Sequence, residues 1–431
     1  MSDNRQQTGR LLQHSILMLA ATQAGNLANM LFQILMNHRL SDTEYGALAA
    51  MLGLITITAT PLDALRTAAA HFTARLRLEG QTNAVASMLF VWLRKLSWLA
   101  VIVLALGCAA APWTADYLKL PTGGVAAVGA VVIALAIFVP VLSGGLQGLE
   151  TFGWYAAVAP TWGISRLLVG AILTTWIAAT ALMGLLAQAA ATLLSAGIAA
   201  IGLWRVLPRS AAPAEPSVAT DAYAYFGGAF CVLLGFAVLM NGDVVLAKIF
   251  FPPETAGLFA RAANIARAVV FLPMPIALAM FPKVVEAGPE TASGNRQTMK
   301  TAFLYTLILV IISVIICSAA ADLLWRLFTG SVGSPSELQM LRALALALTP
   351  LGPAYLLLNF ELARKRFQTA IWLALIAAAY ITSVAIFHRT LTHIVIALAA
   401  ANCAAVVAMA ALASQKSNFS PKQHLHFKSW Q

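Results

Sequence analysis

Charged side chains interrupt apolar segments of this chain, and they are the residues best able to bind or move a ligand. Asp243 lies in the stretch LMNGDVVLAKIF, and Arg166 lies in APTWGISRLLVG. Arg261 and Arg267 follow in the next apolar segment. An ionisable group at the centre of a bilayer costs about 2.5–3.5 kcal/mol, so such groups face a bundle interior or pair. These four residues are therefore candidates for a polar cavity.

Asp243 is expected to pair with Arg261 across a helical hairpin. The turn of that hairpin lies near Pro253, and at a rise of about 1.5 Å per residue Arg261 and Asn264 fall near the depth of Asp243. The pair could be a structural fastening or a contact that opens and re-forms during transport. Lys248 lies closer to the turn and is expected to extend to the membrane surface.

The balance of these buried charges is positive. There are three positive residues, Arg166, Arg261 and Arg267, and one negative residue, Asp243. The helix of Arg166 contains no carboxylate that could neutralise it. A guanidinium group forms paired hydrogen bonds to phosphate oxygens. The surplus therefore favours an anionic ligand such as a phosphate or pyrophosphate.

The first apolar segment carries a stripe of amide side chains. At 100° per residue these amides fall within an arc of about 120° on one helix face. Inside a membrane they either bond to neighbouring helices or line a wet cavity that can receive hydroxyl groups, as in sugars. The stripe consists of Gln23, Asn26, Asn29, Gln33 and Asn37.

The elements that must position these residues are membrane-spanning helices. Of the 431 residues 60% are hydrophobic and 10% are charged, whereas soluble domains carry about 25% charged residues. A span needs about 20 apolar residues. On that criterion the chain is an all-α polytopic membrane protein with twelve transmembrane helices, near 14–36, 45–65, 84–112, 125–147, 152–178, 180–205, 224–250, 257–281, 298–328, 337–362, 367–387 and 391–413.

The loops assign an orientation to these helices. Most Lys and Arg residues of the loops fall on the side of the two termini, whereas the opposite loops hold Arg39, Lys119 and Arg389. The positive-inside rule then places both termini in the cytoplasm. The net charge of +11 follows from this topology and does not indicate a nucleic-acid surface.

The chain divides into two similar halves. The stretch 208–222 is rich in Pro, Ala and Ser and separates an N-lobe, 1–207, from a C-lobe, 223–431. SDTEYGALAA aligns with PPETAGLFAR at an offset of 211 residues, which matches Gly46 with Gly257. Two six-helix lobes related by a pseudo-twofold axis along the membrane normal are predicted, with a cavity between them.

Motifs for catalysis or metal binding are missing from the sequence. The four cysteines lie far apart in apolar segments, and no phosphate-binding loop or clustered His and Asp constellation occurs. Asp63 and Arg66, three residues apart, indicate a local surface pair. The protein is therefore not expected to be an enzyme or to need a cofactor or metal.

Three stretches resemble the polysaccharide-transporter, or O-antigen flippase, family of the multidrug/oligosaccharidyl-lipid/polysaccharide exporter superfamily. They are HRLSDTEYGALAAMLGLI (38–55), LSGGLQGLETFGWYAAVAP (142–160) and, most specifically, NGDVVLAKIFFPPETAGLFARAANIARAVVFLPMPIALAMFPKV (241–284). The resemblance covers nearly the whole chain. It implies two facing six-helix lobes in a bacterial inner membrane that carry a polyprenyl-pyrophosphate-linked oligosaccharide between the leaflets by alternating access.

The resemblance also implies roles for the candidate residues. Arg166, Arg261 and Arg267 are expected to hold the pyrophosphate, while Asp243 competes for Arg261 and Asn264 lies beside them. Asn26, Asn29 and Gln33 are expected to contact the glycan. The expected partners are the lipid-linked oligosaccharide, membrane lipid and a polysaccharide polymerase. The alternatives are a multidrug/cation antiporter, which needs more cavity acids, and a polymerase or ligase, which needs a long catalytic loop.

Overall fold

The computed structural model describes residues 2–208, 217–274, 292–363 and 367–414, and the described part is helical without strands. This confirms the all-helical prediction. Residues 209–216 of the predicted linker and residues 275–281 of the predicted span 257–281 lie outside the described residues. So do residues 364–366, between two predicted spans, and the C-terminal stretch 415–431. Helix α9 begins at Ser217, inside the stretch 208–222 that was predicted to be a linker.

The N-lobe contains α1 to α8 and the C-lobe contains α9 to α17. A 3₁₀ turn at Thr60–Leu62 joins α2 to α3. The N-lobe helices are α1 Ser2–Arg39, α2 Asp42–Ala59, α3 Asp63–Leu78, α4 Thr82–Tyr117, α5 Gly123–Ala136, α6 Phe138–Gly148, α7 Phe152–Trp176 and α8 Ala181–Val206. The C-lobe helices are α9 Ser217–Phe250, α10 Pro253–Ala266, α11 Ala268–Phe271, α12 Ala292–Ala319, α13 Ala321–Thr329, α14 Pro335–Leu348, α15 Leu351–Ala363, α16 Thr369–Ile386 and α17 Leu391–Ser414.

Ten helices of the described chain are long and apolar enough to cross a membrane. Three of them are composite, since α2 with α3, α5 with α6, and α14 with α15 each form one span. The predicted span 14–36 falls within α1. The predicted span 257–281 covers α10 and α11 and then runs beyond the described residues. The chain is a multi-span membrane protein with a two-lobed helical fold.

Helix boundaries follow local chemistry. Ser41 is the N-cap of α2, where its side chain accepts a hydrogen bond from the Glu44 amide at 3.4 Å. Pro253 occupies the first turn of α10, where a missing N–H costs nothing. The turns Leu40–Ser41 and Phe251–Pro252 lie at the same end of the bundle, which we name the hairpin end.

The two lobes meet chiefly where α2 packs against α9 and α10. At the hairpin end Gly46 of α2 touches Gly257 of α10, and a methyl group added at Gly46 would lie 2.9 Å from the Gly257 Cα. These are the two glycines that the 211-residue offset matches. A contact between counterparts places them beside the pseudo-twofold axis. Glycine is needed at both positions because the helix backbones touch.

The opposite end of the N-lobe is fastened by an ion pair. Arg77 near the end of α3 lies 2.5 Å from Glu150 in the turn between α6 and α7. The hydrogen bond from the Arg77 guanidinium lowers the pKa of the Glu150 carboxyl from its ordinary value. This pair fixes the end of α3, which continues past the predicted span 45–65.

Candidate functional site

Arg261 joins the two lobes at the hairpin end. Its Nε donates to Asp42 Oδ1 at 2.8 Å, and its Nη2 donates to the Leu40 carbonyl at 2.8 Å. Its Nη1 donates to both the carbonyl and the side-chain oxygen of Asn37. The guanidinium also lies 5.0 Å from the centre of the Tyr45 ring. We name these five residues the latch, because the arginine of one lobe is bonded to α1 and α2 of the other.

Further hydrogen bonds between the lobes lie at the same end. Asn264 of α10 donates to the hydroxyl of Tyr45 at 2.9 Å. The other two bonds join Lys119 Nζ to the Phe251 carbonyl at 3.0 Å and His38 Nε2 to the Leu327 carbonyl at 3.1 Å. Together with the latch they close the hairpin end.

The prediction that Asp243 pairs with Arg261 is wrong. Asp243 pairs with Arg267, whose Nη2 lies 2.5 Å from its Oδ1, and Arg267 Nε donates to the Met240 carbonyl at 3.2 Å. The prediction assumed a straight hairpin, in which residues of α9 and α10 that are equally far from the turn lie at the same depth in the membrane. Instead α10 leans onto α2 of the other lobe, which carries Arg261 to Asp42, and the helix breaks at Arg267.

Lys248 does not extend to the surface as predicted. It is 1% exposed, and its Nζ has no hydrogen-bond partner among the described residues. Its charge interacts with Glu44 of α2, whose carboxylate accepts a hydrogen bond from the Ala181 amide at 2.6 Å. Lys248 therefore buries a positive charge near the latch, where Glu44 of the other lobe attracts it and Lys119 of that lobe repels it.

Arg166 binds α7 to α1 inside the N-lobe. It is 3% exposed, donates through Nη1 to Asn29 Oδ1, and lies 4.0 Å from the centre of the Phe32 ring and 5.2 Å from that of Trp162. The helices can approach because Gly25 of α1 and Gly163 of α7 touch. Among the described residues no carboxylate bonds to Arg166, and aromatic rings and an amide surround this charge.

Replacing Asn29 with leucine is expected to destabilise the protein by about 1.5–3 kcal/mol. The change removes a hydrogen bond to a buried charged group. The measurement is the free energy of unfolding in detergent micelles. Asn26→Leu is the matched control, because Asn26 is exposed and donates only to Gln23 at 3.2 Å, three residues away on α1. Equal losses in the two variants would contradict the role given to Asn29.

The residues of the amide stripe of α1 differ in their exposure. Asn26 is exposed, Asn29 and Gln33 are half-buried, and Asn37 is buried in the latch. The face that packs on α7 carries buried apolar residues instead, including Phe32 and Met36. The stripe therefore lies beside the packed face and meets open space over only part of its length.

A cavity of about 580 Å³ lies within the N-lobe, between α1, α2, α3, α5, α6, α7 and α8. We name it the N-lobe cavity. None of the eight residues proposed from the sequence is among its lining residues. Its polar lining consists of Thr22, Thr56, Thr60, Asp63, Arg66, Ser143, Tyr155, Gln188, Thr192 and Ser195, and Trp162 lines it as well.

The sequence carried one signal for this cavity. Gln188, Thr192 and Ser195 are spaced by four and three residues, which places them on one face of α8. Asp63 and Arg66 do form the expected pair, at 3.2 Å, but Arg66 also donates to the Tyr155 hydroxyl at 3.3 Å. This pair lines the N-lobe cavity, so it is not only a local surface pair.

The described lining of the cavity can hold a ligand through polar and aromatic contacts. Among the described residues no group of three or more His, Cys, Asp or Glu side chains could hold a metal ion. The lining combines hydroxyl and amide groups with the aromatic rings of Tyr155 and Trp162. Such a surface suits binding through hydrogen bonds and stacking.

No protein-family model matches the chain, and no curated protein matches it in sequence. Solved structures do match its shape. An inward-facing multidrug resistance MATE family transporter of the MOP superfamily has a TM-score of 0.76 at 14% identity, over 93% of this chain and 99% of that one. The lipid II flippase MurJ in an inward closed conformation has a TM-score of 0.70 at 13% identity, over 93% and 88% of the two chains.

An outward-facing MATE family transporter of the same superfamily matches with a TM-score of 0.61 at 16% identity, over 92% of this chain and 93% of that one. By their descriptions these structural neighbours are transporters and a flippase. The chain thus has the fold that MATE transporters and the MurJ flippase share within the MOP superfamily.

Proposed function

We propose that this protein translocates a polyprenyl-pyrophosphate-linked oligosaccharide across the bacterial inner membrane by alternating access, for the synthesis of a surface polysaccharide. The termini would lie in the cytoplasm and the hairpin end would face the periplasm. In this orientation the described structure is closed toward the periplasm. Its greater similarity to an inward-facing than to an outward-facing transporter supports that assignment.

The observation that carries this proposal is the charge around the candidate sites. In the described lining of the N-lobe cavity the one carboxylate is Asp63, and Arg66 already neutralises it. Deeper in the lobe Arg166 is bonded to a neutral amide and no acid. A cationic drug would find no unpaired carboxylate in the described lining of this cavity, whereas Arg166, deeper in the lobe, would add positive charge for an anionic lipid head group.

The buried arginines at the interface would take part when the lobes move. In the closed hairpin end Arg261 is occupied by the latch and Arg267 by Asp243. Opening the hairpin end would release the Arg261 guanidinium from Asp42. The freed group could then bind the pyrophosphate through paired hydrogen bonds. Asn264 on the same helix, together with Asn26, Asn29 and Gln33 of α1, would contact the rest of the head group.

A multidrug/cation antiporter is the second candidate. The similarity to MATE family transporters supports it, as does the fully buried Asp243, whose Oδ2 has no hydrogen-bond partner among the described residues. In that case the carboxylate would exchange Arg267 for a coupling cation. The two candidates differ in the charge of the transported species.

Reconstitution in proteoliposomes distinguishes the two candidates. We expect the purified full chain to move fluorescent undecaprenyl-pyrophosphate disaccharide between leaflets at least tenfold faster than empty liposomes do. The same vesicles should show no ethidium uptake driven by a proton or sodium gradient. Gradient-driven ethidium uptake without lipid movement would refute the flippase and support the antiporter. A polysaccharide polymerase as assembly partner would be sought by co-purification.

A further inference from the structure

Several hydroxyl groups in the described lining of the N-lobe cavity already donate their protons to backbone carbonyls. Thr56 Oγ1 donates to the Leu52 carbonyl at 2.7 Å, and Ser143 Oγ donates to the Val139 carbonyl at 2.8 Å. Thr192 Oγ1 donates to the carbonyl of residue 188 at 2.8 Å. A hydroxyl has one proton and two acceptor lone pairs. These side chains can therefore offer only acceptors to anything bound in the cavity.

Gln188 extends this set of acceptors. Its Nε2 donates to Thr192 Oγ1 at 3.3 Å, while its Oε1 is buried and has no hydrogen-bond partner among the described residues. The whole residue is 6% exposed. A buried acceptor left without a partner is unfavourable. It indicates that a donor reaches this oxygen when the cavity is filled.

We expect the donor to be a neutral group. The carboxylate of the described lining, Asp63, is already bonded to Arg66, so a bound cation would gain no unpaired counter-ion there. Neutral groups that donate several hydrogen bonds are hydroxyls, and aromatic rings beside them suit the apolar faces of a sugar ring. Trp162 and Tyr155 supply such rings on α7, and the Arg166 guanidinium beside Trp162 helps to fix its orientation.

We propose that the N-lobe cavity binds the glycan portion of the transported lipid, with sugar hydroxyls donating to Gln188 Oε1, Thr192, Thr56 and Ser143. This inference rests on the proposed function and adds a specific receptor for the neutral sugars. The volume of about 580 Å³ lies within the range of small-molecule sites. The polyprenyl chain stays outside in lipid, and the cavity recognises the sugar separately from the pyrophosphate.

The test compares two lipids on the full-length protein in nanodiscs. The probes are undecaprenyl pyrophosphate carrying a disaccharide and the same lipid without sugar. The double variant Gln188→Leu, Thr192→Val is expected to bind the disaccharide lipid about tenfold more weakly, through the loss of two hydrogen bonds. Its affinity for the sugar-free lipid should stay unchanged.

Two single variants complete the test, one as a matched control and one as an independent change in the cavity lining. Thr174→Val is the matched control, because Thr174 is a buried α7 threonine that donates to the Gly170 carbonyl at 2.7 Å outside the cavity lining. It should alter neither affinity. Thr56→Val changes an exposed side chain on the cavity wall, and it should weaken only the disaccharide lipid even if the double variant fails to fold.

The outcomes separate this inference from the proposed function. Equal weakening of both lipids, or no weakening of either, overturns the glycan site while leaving lipid transport standing. Ethidium binding that depends on Gln188 and Thr192 also overturns it, because the cavity would then serve a cation. A wild-type protein that binds neither lipid overturns the proposed function itself.

Discussion

Replacing Arg261 with methionine is expected to open the hairpin end. The change removes the Asp42 ion pair and the hydrogen bonds to Leu40 and Asn37 at once, while keeping an apolar side chain of similar length. Arg261 is buried but the Asp42 side chain is 41% exposed, so losing these hydrogen bonds to a charged group costs about 1.5–3 kcal/mol. At about 3 kcal/mol the ratio of closed to open molecules falls roughly a hundredfold.

Double electron–electron resonance measures this shift as a change in the distance between two spin labels. One label replaces Asp116 at the end of α4, and the other replaces Val332 beyond α13, in a chain freed of its four cysteines. Both positions are exposed and lie at the hairpin end of different lobes. The distance distribution should move to longer values in Arg261→Met.

Arg326→Met is the matched control for the latch. Arg326 pairs with Asp322 at 2.9 Å within α13, and both side chains are about half exposed. Surface pairs of this kind contribute about 0.2–1 kcal/mol. The distance distribution should stay that of the unmodified chain. An unchanged distribution in Arg261→Met as well would mean that the glycine contact and the other hydrogen bonds between the lobes keep the hairpin end closed without Arg261.

Replacing Asp243 with alanine is expected to destabilise the protein by about 3–5 kcal/mol. Asp243 is fully buried, and the change leaves the Arg267 guanidinium buried without its counter-ion. The apolar double replacement Asp243→Leu, Arg267→Met should recover most of this loss, because it removes both charges together. The free energy of unfolding in micelles is the measurement.

The same variants decide between the two roles left open for Asp243. A double variant that is stable but inactive in lipid movement makes the ion pair part of the transport cycle. A stable and active one makes it a structural fastening. Asp322→Ala, at the exposed pair, is the control and should lose less than about 1 kcal/mol. If Asp243→Ala also lost less than about 1 kcal/mol, the result would contradict the role of Asp243 as the buried counter-ion of Arg267.

The sequence predicted the helices better than their contacts. Apolar runs and positive loops identify spans without knowledge of packing, and the 211-residue offset matched two glycines that touch in the structure. Which side chain reaches Asp243 depends on the lean of α10 and on the break at Arg267. Neither is visible in the spacing of residues, so the choice of Arg261 over Arg267 could not be made correctly.

The N-lobe cavity was harder still to predict. Its hydroxyl groups come one or two at a time from different helices, and a lone serine or threonine in a membrane helix carries no signal of its own. Thr56 on α2 and Ser143 on α6 become neighbours of one cavity only through the tertiary arrangement of the lobe. The spacing of Gln188, Thr192 and Ser195 on α8 and that of Asp63 and Arg66 on α3 are the parts of this cavity that are visible in the sequence.

The closed hairpin end also shows that the two lobes cannot replace each other. The offset that matches Gly46 with Gly257 gives Arg261 the counterpart Ala50, and it gives Asp42 the counterpart Pro253. A molecule assembled from two N-terminal halves would carry the aspartate twice and the arginine not at all, and two C-terminal halves would have the reverse defect. The two lobes repeat the same backbone fold, but the latch needs one N-terminal half and one C-terminal half.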